Sequence, residues 1–289
     1  MSRIFDVVKK DNIIDIDFGE IYKPDADDLK GMQPSVKQPA RADHPATSPK
    51  NSDRVVRLAA SVLAPIFPFD GAHQAAAEQY RIIRTKIWQG DRKPQVVLVS
   101  SASSGDGKTV TSINIAASLA LKEESRVLLV DGDLRHPRVS EALGIPLGRG
   151  LSEVLAGTIS LESALVEAEQ FPNLFILPAG NPDGSAAELL DCPRGPALIE
   201  EIRSRFGNVI VDAPPIATVA DYELLQLVCD GVVVVGRPDH SDRRAFFNAL
   251  ETVPKEKLLG VVLNCVEEWW LWRTPAYGYY GKQNSERKL

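Results

Sequence analysis

Six apolar, mostly β-branched runs recur along the chain: Val96–Val99, Val127–Val130, Leu174–Leu177, Val209–Val211, Val232–Val235 and Val261–Leu263. Helical stretches separate them, the clearest being Asn114–Ala120 after the first run. The runs are continuous rather than alternating, so each predicts a strand covered on both faces, with the intervening helices as crossovers. The expected fold is α/β, a doubly wound and mostly parallel sheet whose ligands sit beyond the strand carboxyl ends. Upstream, Ala75 to Trp88 sets Tyr80, Ile83 and Ile87 at helical spacing, which predicts a helix opening the domain. Residues 23–53 hold five prolines and only Leu29, Met32 and Val36 as large apolar residues. Such a stretch cannot offset the entropy of ordering it. Residues 1–70 are therefore expected to be a largely disordered arm and linker, 71–268 the folded domain and 269–289 a flexible tail. Within the arm, Ile4 to Lys10 fits one face of a brief helix, the alternative being a frayed terminus.

The first predicted strand runs into Ser100-Ser101-Ala102-Ser103-Ser104-Gly105-Asp106-Gly107-Lys108-Thr109, and a helix follows. Strand, small-residue loop and helix in this order are the context of a P-loop, although Ala102 stands where the GxxxxGK[ST] pattern has glycine. Backbone N–H groups from Ser104, Gly105, Asp106, Gly107, Lys108, Thr109 and Val110 would cradle phosphate oxygens at the helix N-terminus. Lys108 would bridge the β- and γ-phosphates of ATP, and the Thr109 hydroxyl would ligate Mg²⁺. The second strand ends in Asp131-Gly132-Asp133-Leu134-Arg135, the fourth in Asp212-Ala213-Pro214-Pro215. A single Asp at a strand end is equally a turn initiator or helix cap. Three of them in register with a P-loop are expected to hold Mg²⁺ directly or through water, with Thr109, Asp131 and Asp212 as the ligands.

These motifs resemble the bacterial tyrosine autokinases of exopolysaccharide and capsule synthesis, the BY-kinases of the CpsD/CapB type. Ser101–Thr109, Val127–Arg135 and Val209–Pro215 look like their Walker A, A′ and B segments. Glu78, Arg81 and Arg84 fit the ExxRxxR helix, Leu177-Pro178-Ala179-Gly180 with Glu188-Leu189-Leu190 the mid-domain pattern, and Tyr277-Gly278-Tyr279-Tyr280-Gly281 the tyrosine cluster. The resemblance implies a P-loop NTPase fold of the MinD/ParA kind and an ATP-dependent protein-tyrosine kinase. Lys108 would neutralise the transferring phosphoryl group, and Asp131 or Asp133, Asp131 preferred, would receive the tyrosine proton. Arg135 would position phosphates or pair with one of the acids, and Asn264 would lie near the adenine. Tyr277, Tyr279 and Tyr280 would be phosphorylated in trans. Glu78, Arg81 and Arg84 would form the interface of a ring-like homo-oligomer, although the residues alone fit a solvated helix face equally well. Further implied partners are a transmembrane chain-length regulator of the Wzz type, which activates the kinase, and a cognate tyrosine phosphatase. The location implied is cytoplasmic and peripheral, at the inner face of the membrane through that regulator. Two departures stand out: Ser104 and then Gly105-Asp106-Gly107-Lys108 stand where the family usually has proline before GEGK, and the cluster has only three tyrosines.

Composition narrows the classes. A formal charge of −6 over 289 residues disfavours a general nucleic-acid binder, and no nucleic-acid partner is expected. Cys192, Cys229 and Cys265 lack the spacing of a disulfide framework or zinc site and read as buried thiols in a reducing compartment. No apolar run approaches the roughly 18–20 residues of a membrane span, and the first residues lack a signal-peptide core. Residues 273–289 carry +3, so a tail suited to an acidic crevice would turn net negative once its tyrosines gain about −1.5 to −2 each. Trp269, Trp270 and Trp272 either pack the root of that tail or dock on a membrane partner. A rival class, ParA/MinD-type switch ATPases, carries a second P-loop lysine where this chain has Ser103.

Overall fold

The computed structural model describes residues 3–5, 55–58, 73–89, 92–122, 126–181, 186–216, 220–238 and 240–266. Two short strands, β1 (Arg3–Phe5) and β2 (Val55–Val56), precede the opening helix α1 (Gln74–Trp88). Then come β3 (Val96–Ser101), α2 (Lys108–Ala120), β4 (Val127–Asp131) and the short α3 (Val139–Leu143), α4 (Leu151–Leu155) and α5 (Leu161–Ala164). The chain continues through β5 (Val166–Ala168), β6 (Leu174–Leu177), α6 (Ala186–Leu190), α7 (Gly195–Arg205), β7 (Asn208–Asp212) and α8 (Ala220–Val228). It closes with β8 (Gly231–Gly236), α9 (Arg243–Thr252) and β9 (Leu258–Leu263).

All six expected strands are present, in one sheet of order β1-β9-β8-β3-β7-β4-β6-β5-β2. The pairings from β9 through β6 are parallel, whereas β1 on β9 and β5 on β6 are antiparallel. Both faces are covered, as continuous apolar runs require. Val96 and Leu98 face one core while Val97 and Val99 face the other, and Leu128/Val130 against Val127/Leu129 repeat the division. The crossovers reverse at β3, which has β7 on one side and β8 on the other. The loop leaving β3 therefore opens at the topological switch point, where such sheets bind ligands.

α1 lies where its spacing predicts and buries Tyr80, Ile83 and Ile87 in the same core as Ile113, Ile115 and Leu119 of α2. Each such side chain contributes about 1.5–3 kcal/mol by leaving water. α2 is buried from Thr111 to Ala120, so the helix that starts at the P-loop is clamped along most of its length.

The amino-terminal residues depart from expectation in two places. Arg3–Phe5 is a strand, not a helix or frayed end, and pairs with Val261–Leu263. Three residues are too few to show a period, and the open edge of β9 supplies the partner. Val55–Val56, within the expected arm, pairs with Glu167–Ala168, and Leu58 exchanges two hydrogen bonds with the Gln170 side chain. Residues 6–54, including the proline-rich stretch, lie outside the described residues.

Ile83 is fully buried at the α1–α2 contact. Ile83→Ala is expected to lower the unfolding free energy by about 2–5 kcal/mol, and exposed Thr85→Ala by no more than about 0.5 kcal/mol, as measured by urea denaturation.

Candidate active site

The loop from β3 to α2 has the backbone of a phosphate cradle. Gly105 and Gly107 hold φ angles of 92° and 93°, in the left-handed region that favours glycine. At Gly107 a Cβ would also lie 1.9 Å from Nδ2 of Asn264, so any side chain there would displace the Asn264 amide. Asn264 donates that Nδ2 to the Asp106 carbonyl at 3.1 Å, which places it on the P-loop backbone. Ala102 is buried where the pattern has glycine, and Ser101 Oγ donates to the Ser103 carbonyl at 2.7 Å to turn the chain there. The first N–H groups of α2 follow directly, with the positive end of its dipole.

The charged residues meet at the ends of three adjacent strands. Asp131 of β4 and Asp212 of β7 are paired in register. Lys108, 8% exposed, donates Nζ to Asp133 Oδ2 at 2.9 Å and lies 3.8 Å from Asp212 Oδ2. Asp212 accepts Thr109 Oγ1 at 2.6 Å and Ser112 Oγ at 3.1 Å. Asp131 accepts the Val139 N–H at 3.0 Å through Oδ2, and its buried Oδ1 has no partner. Asp133 also accepts the His136 N–H at 3.1 Å.

The electrostatics follow from this packing. Burial, reinforced by the neighbouring Asp212, pushes the Asp131 carboxyl up to about 8. Burial works against the Lys108 charge, but Asp212 and Asp133 outweigh it and hold that pKa above its ordinary value. Burial likewise raises Asp212, against the pull of Lys108, Thr109 and Ser112.

The donor set fits a hydrated Mg²⁺. Asp131 presents an orphaned oxygen beside Asp212, which fixes the Thr109 hydroxyl. Mg²⁺ typically takes one or two such protein oxygens and fills its shell with water and phosphate. The carboxylates form no cage by themselves: among the described residues no group of three or more His, Cys, Asp or Glu could hold a metal ion.

Arg135 makes the ion pair left open for it, but with Asp221 of α8 rather than a strand-end acid, through Nε at 2.6 Å and Nη2 at 3.0 Å. Of the helix motif, Arg84 donates to the Ser118 carbonyl in the last turn of α2, while Glu78 and Arg81 form an exposed pair at 3.1 Å. Tyr277, Tyr279 and Tyr280, with Trp269, Trp270 and Trp272, lie outside the described residues.

Four contributing residues escaped sequence reasoning. Ser112 carries a faint signal, a small hydroxyl four residues after Lys108 on an otherwise apolar helix. Asp221 reads as an ordinary first-turn acid. His240 and Ser241 reach the P-loop from the far end of β8, and no local pattern marks them.

Residues 94–253, more than half the chain, match the family described as AAA domain. Sheet order, phosphate loop and strand-end carboxylates thus define a P-loop NTPase. The chain is 36% identical over 213 residues to tyrosine-protein kinase YwqD of Bacillus subtilis (strain 168), covering 72% of this chain and 88% of that protein. It is 33% identical over 202 residues to the succinoglycan biosynthesis transport protein ExoP of Rhizobium meliloti (strain 1021), covering 68% of this chain and 25% of that protein. The solved kinase domain of VpsO superposes with a TM-score of 0.59 at 28% identity, over 67% of this chain and 98% of that one. The chain belongs to the bacterial tyrosine-protein kinases.

The raised pKa of Asp131 sets a pH dependence. A carboxyl lifted from 3.8 to about 8 contributes stability that is complete below the unfolded value and is lost as pH rises through the folded one. Without nucleotide or Mg²⁺, Asp131→Asn is expected to melt higher than the parent, by a margin that widens from about pH 5 to 8 and then levels off. Calorimetry across that range checks it, and a margin that narrows with pH would contradict the assignment.

Proposed function

We propose that this kinase transfers the γ-phosphoryl group of Mg-bound ATP to Tyr277, Tyr279 and Tyr280 of a neighbouring copy, and that the cycle regulates exopolysaccharide or capsule assembly. The observation that carries the reading is the convergence of Lys108 with Asp131, Asp133 and Asp212 at the mouth of the P-loop. Phosphoryl transfer asks a protein mainly for positioning and charge neutralisation, and this group provides both. Bound Mg-ATP supplies the phosphoryl group and the divalent charge. Thr109 and Asp212 are set to hold the metal, with Asp131 beside them, and Lys108 is set to exchange its carboxylate partners for phosphate oxygens. A carboxyl poised near neutrality, as Asp131 is, suits the tyrosine proton better than an ordinary acid would.

Burial supports the choice of acceptors. Of the chain's six tyrosines, Tyr80 and Tyr222 are sealed in the core at 3% and 0% exposure and cannot enter a neighbour's site. The tail cluster carries positive charge suited to an acidic mouth. Like-charge repulsion would expel it once phosphorylated. The likeness to ExoP supports a role in polysaccharide export. Recruitment to the inner face of the membrane is assigned to a transmembrane regulator of the Wzz type; among the described residues no helix is long and apolar enough to cross a membrane. A tyrosine phosphatase resets the tail.

Incubation of the full chain with Mg-ATP, with the regulator's cytoplasmic segment added, is expected to give phosphotyrosine within residues 274–289, abolished by Lys108→Met. Peptide mass spectrometry reads the result, and steady phosphate release with an unmodified tail would refute the acceptor assignment. Ring assembly is assigned to Glu78, Arg81 and Arg84, of which Glu78 and Arg81 form an exposed pair while Arg84 also donates to the Ser118 carbonyl. Arg81→Ala is expected to shift the protein toward monomer in sedimentation with ATP binding intact, and unchanged oligomers would reject this interface.

A further inference from the structure

Asp106 stands between the two left-handed glycines of the P-loop, and its carboxylate is completely buried. Groups from two separate segments satisfy it. Oδ2 accepts the N–H of Ser103 at 3.0 Å, closing the loop on itself. Oδ1 accepts the Ser241 hydroxyl at 2.7 Å and meets Nδ1 of His240 at 3.1 Å. Ser241 is in turn fixed by the Arg237 N–H, which donates to its Oγ at 2.7 Å just beyond β8. The His240 ring lies on the loop, with Cε1 only 3.0 Å from where a Cβ on Gly105 would be, while its side chain stays 44% exposed.

A buried carboxylate is tolerated only if its oxygens are satisfied, so these donors and the loop conformation stand or fall together. Ser104 also leaves free a backbone angle that a proline there would fix. We infer that Ser241 and His240 are positioning residues for the nucleotide phosphates. Acting through Asp106, they hold the P-loop amides in the arrangement that receives phosphate, a second anchorage beside Asn264. Asp106 itself is a brace whose side chain serves the loop. The inference rests on the nucleotide reading of the P-loop.

The test uses the full chain with Ser241→Ala, His240→Ala and His240→Asn, the last keeping a donor near the position of Nδ1. In nucleotide-free protein, the two alanine variants are expected to speed hydrogen exchange of the Ser103–Lys108 amides about tenfold, and to weaken binding of a fluorescent ATP analogue by about the same factor. The kcat at saturating ATP is expected to hold while KM for ATP rises, and His240→Asn to recover most of both losses. Asp106→Asn, which preserves volume, serves as the second route if Ser241→Ala lowers the thermal midpoint. A parent chain that binds no ATP would remove the nucleotide reading and this role together. A parent that binds ATP, with both alanine variants matching it in exchange and affinity, would overturn the inference alone. So would a fall in kcat with affinity unchanged.

Discussion

Four charges, one lysine and three carboxylates, are withdrawn from water at the ends of neighbouring parallel strands, and the rest of the site is arranged around that cost. Isolated buried charges are prohibitive, so each has acquired partners: Asp133 on Lys108, Thr109 and Ser112 on Asp212, the Val139 N–H on Asp131. Three negative groups against one positive leave the cluster short of positive charge. Burial and the neighbouring Asp212 push the Asp131 pKa up, and its Oδ1 has no partner. A pocket of this kind gains most from a ligand that carries a divalent cation in with it.

The same helix that begins at the phosphates ends under the proposed oligomer face. α2 runs from Lys108 to Ala120, and its last turn would leave carbonyls unpartnered without outside donors. Arg84 supplies one, bringing a positive group to the negative end of the helix dipole. Burial lowers the Arg84 pKa, and the adjacent Arg81 adds to it. The proposed interface and the phosphate loop thus lie at opposite ends of one buried helix.

Most of this was legible in the chain because it rests on local periodicity and on a contiguous motif. The six core strands, α1, and the placing of Lys108, Thr109, Asp131 and Asp212 at one mouth follow from apolar runs and from residues adjacent to them. What escaped depends on distance in sequence. Arg3–Phe5 becomes a strand by pairing with an edge that β9 offers almost the whole chain away, Arg3 opposite Leu263. Arg135 finds Asp221, and Asp106 finds Ser241, through a sheet order that no local pattern encodes. For position 106 the sequence pointed only to the backbone N–H as part of a phosphate cradle, and tertiary packing gives the carboxylate a separate use.

The burial of Tyr222 imposes an order of events on the life of the molecule. Its hydroxyl sits in the core without a hydrogen-bond partner, and burial raises its pKa well above that of a free phenol. A phosphate there could not be housed in that interior, so a chain modified at Tyr222 before its core closed could not complete its fold. The site that adds phosphate is itself assembled from the ends of β3, β4 and β7, which meet only in the finished sheet. The fold that builds the candidate catalytic mouth is thus the same one that closes over Tyr222.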